Sequence, residues 1–319
     1  MMFNFTVSVR KLVGVAVVFT FVSLVSGCGS STPSSVPSTS GQDDLPLIVT
    51  TSSLVADFVT RVAGDAARVE TLVPNGFDAH TYEPKPSELA LLEDADLVVL
   101  ADGNLNAAIS GLVSLSGDAG RILDLNAEAL VREDRIYREP GNDSSANPHT
   151  WTSPVLAIKW VKPITARLVA LIPDAELVFQ TNSATLTAAL SQLDADIRSQ
   201  FATLSGKSKM VVYHDAWEYF GREYGIDVVG ALQAVNFAEP SAAELAKMVD
   251  QIRNEKVKAF FGSEVFPSDV LEALESETGA KYVPDLADDR LPGEPGDLEH
   301  SYIAMMEANV ILLLSGLIN

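Results

Sequence analysis

Cysteine is almost absent from this chain: Cys28 is the only one in 319 residues. A single thiol excludes an intramolecular disulfide. Cations are scarce too, with 22 Lys and Arg against 43 Asp and Glu, for a formal charge of −21. That balance argues against nucleic acid and against adsorption to anionic lipid. No apolar run is long enough to cross a membrane; the longest, Leu12 to Val25, falls short of the roughly 20 residues a spanning helix needs. There is no internal repeat and no His-Glu-x-x-His motif of a metallohydrolase. Histidine itself is rare, at four residues, and none lies between positions 103 and 148.

The short apolar run follows Arg10 and Lys11 and ends in Val25-Ser26-Gly27-Cys28. A basic start, an apolar stretch and a small-residue site in that order read as an export signal over residues 1–27. The ending resembles the lipobox of a bacterial lipoprotein, which implies lipidation of Cys28 after cleavage. The mature protein is then anchored on the extracytoplasmic face, in the periplasm or at the cell surface, without spanning the bilayer. Residues 28–46 are rich in Ser, Thr, Pro and Gly and read as a flexible tether. Arg10 and Lys11 are the only charges ahead of Cys28, so the mature chain is two units more negative than the precursor.

From Leu47 the pattern alternates short apolar runs with helical stretches. Strands are expected at 47–51, 67–73 and 97–100, with helices opening near Ser53, Ser87 and Ser153-Pro154. Residues 132–148 read as a surface loop. From Ala175 to Leu204, Leu186, Leu190, Leu193, Ile197 and Leu204 share one face without a proline or glycine between them. Such a length suits a rod joining two lobes. A second alternating half comes next, with strands at 210–213, 226–230, 258–261 and 282–283, a capping box at Ser241 and Glu244, a helix from about Ser268 and a terminal helix over 298–317. Strands separated by helices imply parallel sheets. The expected fold is α/β: an N-terminal lobe (47–174), a long rigid linking helix (175–206) and a C-terminal lobe (207–319), each lobe with a parallel sheet flanked by helices.

Three of the four histidines sit in loops, each just past a strand-like run or just before a helix-like one: His80 in NGFDAHTYEPKPSE, His149 in ANPHTWTSP and His214 in MVVYHDAWEYF. Their spacing is too wide for a zinc finger but suits a site assembled from distant loops. In open parallel sheets ligands bind beyond the carboxyl ends of strands. His214 and Asp285 take that position in the second half, His80 and His149 lie in loops of the first. Three imidazoles and a carboxylate suit Zn²⁺; more oxygen would suit Mn²⁺. Glu264, Asp288 and Asp289 are further acids nearby, and His300 reads as a surface residue beside Glu299.

These stretches, with YHDAWEYFGREYGI, AEPSAAELAKMVDQIRNEKVKAFFGSEVF and ETGAKYVPDLADD, resemble the metal-binding solute-binding lipoproteins of zinc/manganese ABC importers (the ZnuA/TroA-like family). The match spans nearly the whole mature chain, in family order. Its most specific signals are His-x-Tyr-Glu-Pro-x-Pro-Ser and the Pro-His before Trp151. The resemblance implies metal ligands at His80, His149, His214 and Asp285, a long joining helix, and a non-enzymatic monomer that hands its ion to a permease and its ATPase. Histidine at the third position points within the family to zinc over manganese. Two departures stand out: no histidine-rich loop lies between the first two ligands, and ADGNLNAAIS replaces the family's usual form after the third strand. A zinc hydrolase and a surface adhesin are the rival readings. Because imidazoles bind metal only when neutral, affinity is expected to fall below about pH 6.5.

Overall fold

The computed structural model describes residues 44–139, 142, 145–204, 208–233, 240–263 and 269–318. The expected leader, Cys28, most of the expected tether, Glu264 and the helix start expected at Ser268 lie outside the described residues.

The first lobe opens with β1 (Leu47–Ser52) and α1 (Ser53–Ala63). The helix is capped one residue earlier than its sequence suggests: Ser52, in extended conformation, accepts from the Val55 amide. β2 (Arg68–Val73), α2 (Pro86–Asp94), β3 (Leu97–Leu100), α3 (Ala107–Leu115), β4 (Ile122–Asp124) and α4 (Leu125–Ala129) complete the lobe's sheet and its flanks. All four strands are parallel, in the order β2-β1-β3-β4. β1 and β3 are buried along almost their whole length, as strands covered on both faces must be.

α5 (Pro154–Leu171) starts with proline at its first position and Ser153 as its cap. α6 (Glu176–Phe201) is the long helix, about 39 Å at 1.5 Å per residue. Its buried stripe is Phe179, Leu186, Leu190, Leu193, Ile197 and Phe201, laid against α5, α1 and α10 (Tyr302–Leu317).

The second lobe repeats the plan with β5 (Ser208–His214), α7 (Glu218–Tyr224), β6 (Ile226–Gln233), α8 (Ala242–Glu255), β7 (Ala259–Ser263), α9 (Asp269–Thr278) and β8 (Lys281–Leu286). These strands are also parallel, in the order β6-β5-β7-β8. The capping box on α8 forms, with Glu244 N donating to Ser241 Oγ and Ser241 N to Glu244 Oε2. α10 starts at Tyr302, four residues later than its apolar pattern suggests, where Ser301 in extended conformation caps it by accepting from the Ala304 amide. One apolar cluster runs through both lobes, from Ile48 and Val62 through Leu190 and Ile197 to Phe261 and Leu313. A smaller cluster covers the other face of each sheet, around Val49 and Val98 in the first lobe and around Val211 and Phe260 in the second.

Residues 132–148 are more than a surface loop. Tyr137 and Ala146 form an antiparallel bridge, and Ala146 and Asn147 are buried. Arg138 donates twice to Asp215 Oδ2, from Nε at 2.9 Å and Nη2 at 2.6 Å. The Tyr219 hydroxyl donates to the Asn147 carbonyl and accepts from the Ile136 amide. The segment fastens the first lobe to the start of α7.

Candidate metal centre

His80 lies in the loop between β2 and α2. Asp78 shapes this loop, one carboxylate oxygen accepting from the His80 amide (2.8 Å) and the other from the Thr81 hydroxyl (2.6 Å). Asn106, the cap of α3, donates to the carbonyls of Ala79 and Tyr82 and so pins the loop from the far side. Asn106 belongs to ADGNLNAAIS, a stretch with no link to a ligand on sequence alone.

His149 comes directly after the bridging segment. Asn147 Oδ1 accepts from the His149 amide (3.1 Å) and faces the ring Nδ1 at 2.7 Å. The Asn147 amide nitrogen points the other way, to the Asp215 carbonyl and Glu218 Oε2. With donors on one side and acceptors on the other, the amide has one orientation, and Nδ1 of His149 is the protonated nitrogen. His214 is the last residue of β5 rather than the first beyond it.

The three rings converge. Their centroids stand 4.9 Å apart for His80 and His149, 4.9 Å for His80 and His214, and 4.5 Å for His149 and His214. His80 Nε2 and His149 Nε2 are 2.8 Å apart. Among the described residues the carboxylate in this group is Asp289, whose Oδ2 is 3.6 Å from His80 Nε2. One candidate ligand atom from each of His80, His149, His214 and Asp289 lies within 4.8 Å of the others.

Asp285 does not join them. It is exposed and holds a left-handed φ of 64° inside β8. The strand expected over 282–283 runs through Pro284, because β8 is an edge strand, where a proline's missing donor is tolerated. The pairing shifts register between Phe261 and Ser263, and β8 runs on to Leu286. The acids beyond its carboxyl end are therefore Asp288 and Asp289, not Asp285. His300 stays outside the group, with Nδ1 against the Pro292 carbonyl at 3.1 Å.

Burial divides the three imidazoles. His80 is pushed down to about 3, first by loss of solvent and then by the nearby His214 charge. Burial likewise holds His149 well below its ordinary value, with His214 and His80 adding to it. For His214 burial works in the same direction but is outweighed by Asp288, by charge and hydrogen bond, with Asp289 and Asp78 assisting, and its pKa rises to about 9. Near neutral pH two rings are neutral and one is charged. The outer nitrogen of His149 is committed to Asn147, and His80 makes a hydrogen bond to the Leu105 backbone. The Nε2 lone pair of His149 therefore faces His80 Nε2 2.8 Å away, and the nitrogens stand where a shared cation would be held.

Two parallel sheets, a long joining helix and imidazoles gathered from loops of the first lobe and a strand end of the second define a two-lobed, helix-linked binding protein built to hold a metal ion. The chain matches the family described as zinc-uptake complex component A, periplasmic, over residues 48–316, and it belongs to that family. It is 30% identical over 317 residues to the high-affinity zinc uptake system protein ZnuA of Bacillus subtilis, covering 97% of this chain and 98% of that one. It is 26% identical over 308 residues to the manganese-binding lipoprotein MntA of Halalkalibacterium halodurans, with 94% and 98% covered. Among solved structures, the periplasmic zinc binding protein TroA from Treponema pallidum superposes with a TM-score of 0.77 at 25% identity, covering 86% of this chain and 99% of that one.

Proposed function

We propose that this chain is the extracytoplasmic solute-binding component of an ABC importer, capturing one divalent metal ion between its lobes and delivering it to a membrane permease driven by an ATPase. Zinc is the favoured cargo. The observation that carries the reading is the facing pair of Nε2 atoms of His80 and His149 at 2.8 Å, with Asp289 at 3.6 Å and His214 closing the group. Three nitrogens and one carboxylate are the donor set of tetrahedral zinc. Zinc–nitrogen bonds of about 2.0–2.1 Å at tetrahedral angles need ligand nitrogens about 3.3 Å apart, so loading separates the two rings by about half an ångström.

Manganese is the second reading. It is favoured by the carboxylates that crowd His214, since Asp288, Asp289 and Asp78 all act on that ring. A hydrolytic zinc site needs an open position for water, and here Asp289 stands at the fourth position. The Bacillus subtilis relative is named for zinc uptake and the others for metal binding, which supports transport over adhesion. In this reading residues 1–27 direct export, Cys28 carries the lipid, and the protein acts as a monomer on the outer face of the membrane. Elemental analysis of the purified protein, with competitive titration of zinc against manganese, tests it. A protein that binds neither ion tightly refutes it, and one that prefers manganese overturns the choice of cargo.

A further inference from the structure

Asp289 belongs by connectivity to the second lobe, three residues past the end of β8, but its segment is fastened to the first. The Trp151 indole donates to the Asp288 carbonyl at 2.7 Å. Two residues past Asp289, Leu291 is gripped by the side chain of Asn75. The Leu291 amide donates to Asn75 Oδ1 (3.0 Å), and Asn75 Nδ2 donates back to the Leu291 carbonyl (3.0 Å). Asn75 Nδ2 also reaches the Gly293 carbonyl at 3.4 Å, and Ser53 Oγ donates to Asn75 Oδ1 at 3.0 Å. The amide thus spends both acceptor positions and both donors, and every partner agrees with one orientation. It pairs with Leu291 as a neighbouring strand would, across 216 positions of sequence. Leu291 is 1% exposed and seated in the shared core, so the grip has a fixed base.

Asn75 sits in the turn after β2, next to Gly76 with its left-handed φ of 87°, and five positions before His80. One loop therefore carries both an imidazole of the donor group and the clamp on the segment that bears the carboxylate. Building on the metal-capture reading above, we infer that Asn75 is a positioning residue that holds the Asp289 carboxylate against the His80 side of the donor group and so sets how long a bound metal is retained. Without the clamp the 287–293 segment loses its hold on the β2 turn and keeps the Trp151 contact. The carboxylate then samples positions away from the rings, while the three imidazoles keep their own supports in Asp78, Asn147 and β5.

The test is a double-mutant cycle on the full mature chain with zinc, and with cobalt as a spectroscopic probe. Asn75→Ala should weaken zinc binding about 10–100-fold, the range for loss of an outer-shell support. The loss should fall mainly on the dissociation rate. The visible cobalt spectrum should shift toward that of Asp289→Ala. Asn75→Ala combined with Asp289→Ala should bind no worse than Asp289→Ala alone, because the clamp acts only through the carboxylate. Asn75→Asp, which keeps the acceptor and loses both donors, should give an intermediate affinity. A general loss of stability would not produce this non-additivity. Zinc binding by Asn75→Ala equal to wild type, or losses that simply add to those of Asp289→Ala, overturns the clamp while leaving metal capture standing. Failure of the wild type itself to bind either ion overturns metal capture, and the clamp's role with it.

Discussion

His214 and Asp288 form a buried pair, ring Nδ1 to carboxylate Oδ2 at 3.1 Å, with side chains 3% and 1% exposed. It joins the carboxyl end of β5 to the turn after β8 and keeps a proton inside the donor group.

That proton controls the pH response. The folded pKa of about 9 lies above the roughly 6.5 of an unfolded imidazole, so the pair's contribution to the stability of the metal-free fold is complete below about pH 6.5 and disappears as pH rises through 9. With Nδ1 held by Asp288, a metal ion takes the other ring nitrogen, Nε2, and displaces the proton that makes the ring a cation. Affinity should therefore keep rising up to about pH 9, rather than levelling off near 6.5 as free imidazoles suggest. Calorimetry at pH 7 in buffers of different ionisation enthalpy should register about one proton released per ion. Zero release would show that His214 is already neutral. His80, depressed to about 3, acts with the opposite sign: its neutral burial stabilises above about pH 6.5 and is lost as pH falls toward 3.

Asp289→Ala should weaken zinc binding by an order of magnitude or more, whereas Asp285→Ala should leave it unchanged. Titration of the two variants side by side decides which acid completes the donor set, and a larger loss for Asp285 would reverse the assignment.

Removal of metal should lower the melting temperature. An ion at a thousandfold excess over its Kd stabilises the folded state by about 4 kcal/mol. Scanning calorimetry with EDTA and with zinc should differ by several degrees, and coincident curves would count against any tight site.

Leu190→Ala, at a fully buried position of α6, should cost about 2–5 kcal/mol of stability. Denaturant midpoints measure this directly. Because Leu190 packs in the core on α6, which carries none of the candidate ligands, zinc affinity of the folded variant should stay at the wild-type value.

The periodic parts of the chain are legible in its sequence. The apolar stripe of α6 and the buried runs of β1, β3 and β5 show in spacing alone, because burial selects them residue by residue. The three histidines are legible because each stands just before a helical stretch or at the end of a strand. The fourth member is not. The expected strand stops at Val283, and only the edge position of β8 and its altered register carry the strand on to Leu286 and make Asp289 the acid that arrives. Asn75, Asn106 and Asn147 are likewise invisible as supports. An asparagine in a loop reads as turn chemistry until the backbone it grips, often distant in sequence, is seen beside it.

The largest apolar cluster passes from β1 through α6 to α10, so the two lobes should melt as one unit. Each lobe alone would keep only the smaller cluster on the far face of its sheet and would expose its share of the common one. Calorimetry should then record a single transition, and limited proteolysis should release no stable lobe. Cargo must leave a molecule that stays whole, through displacement of side chains and short loops around the ion, and the cost of opening is confined to the few contacts that hold those loops.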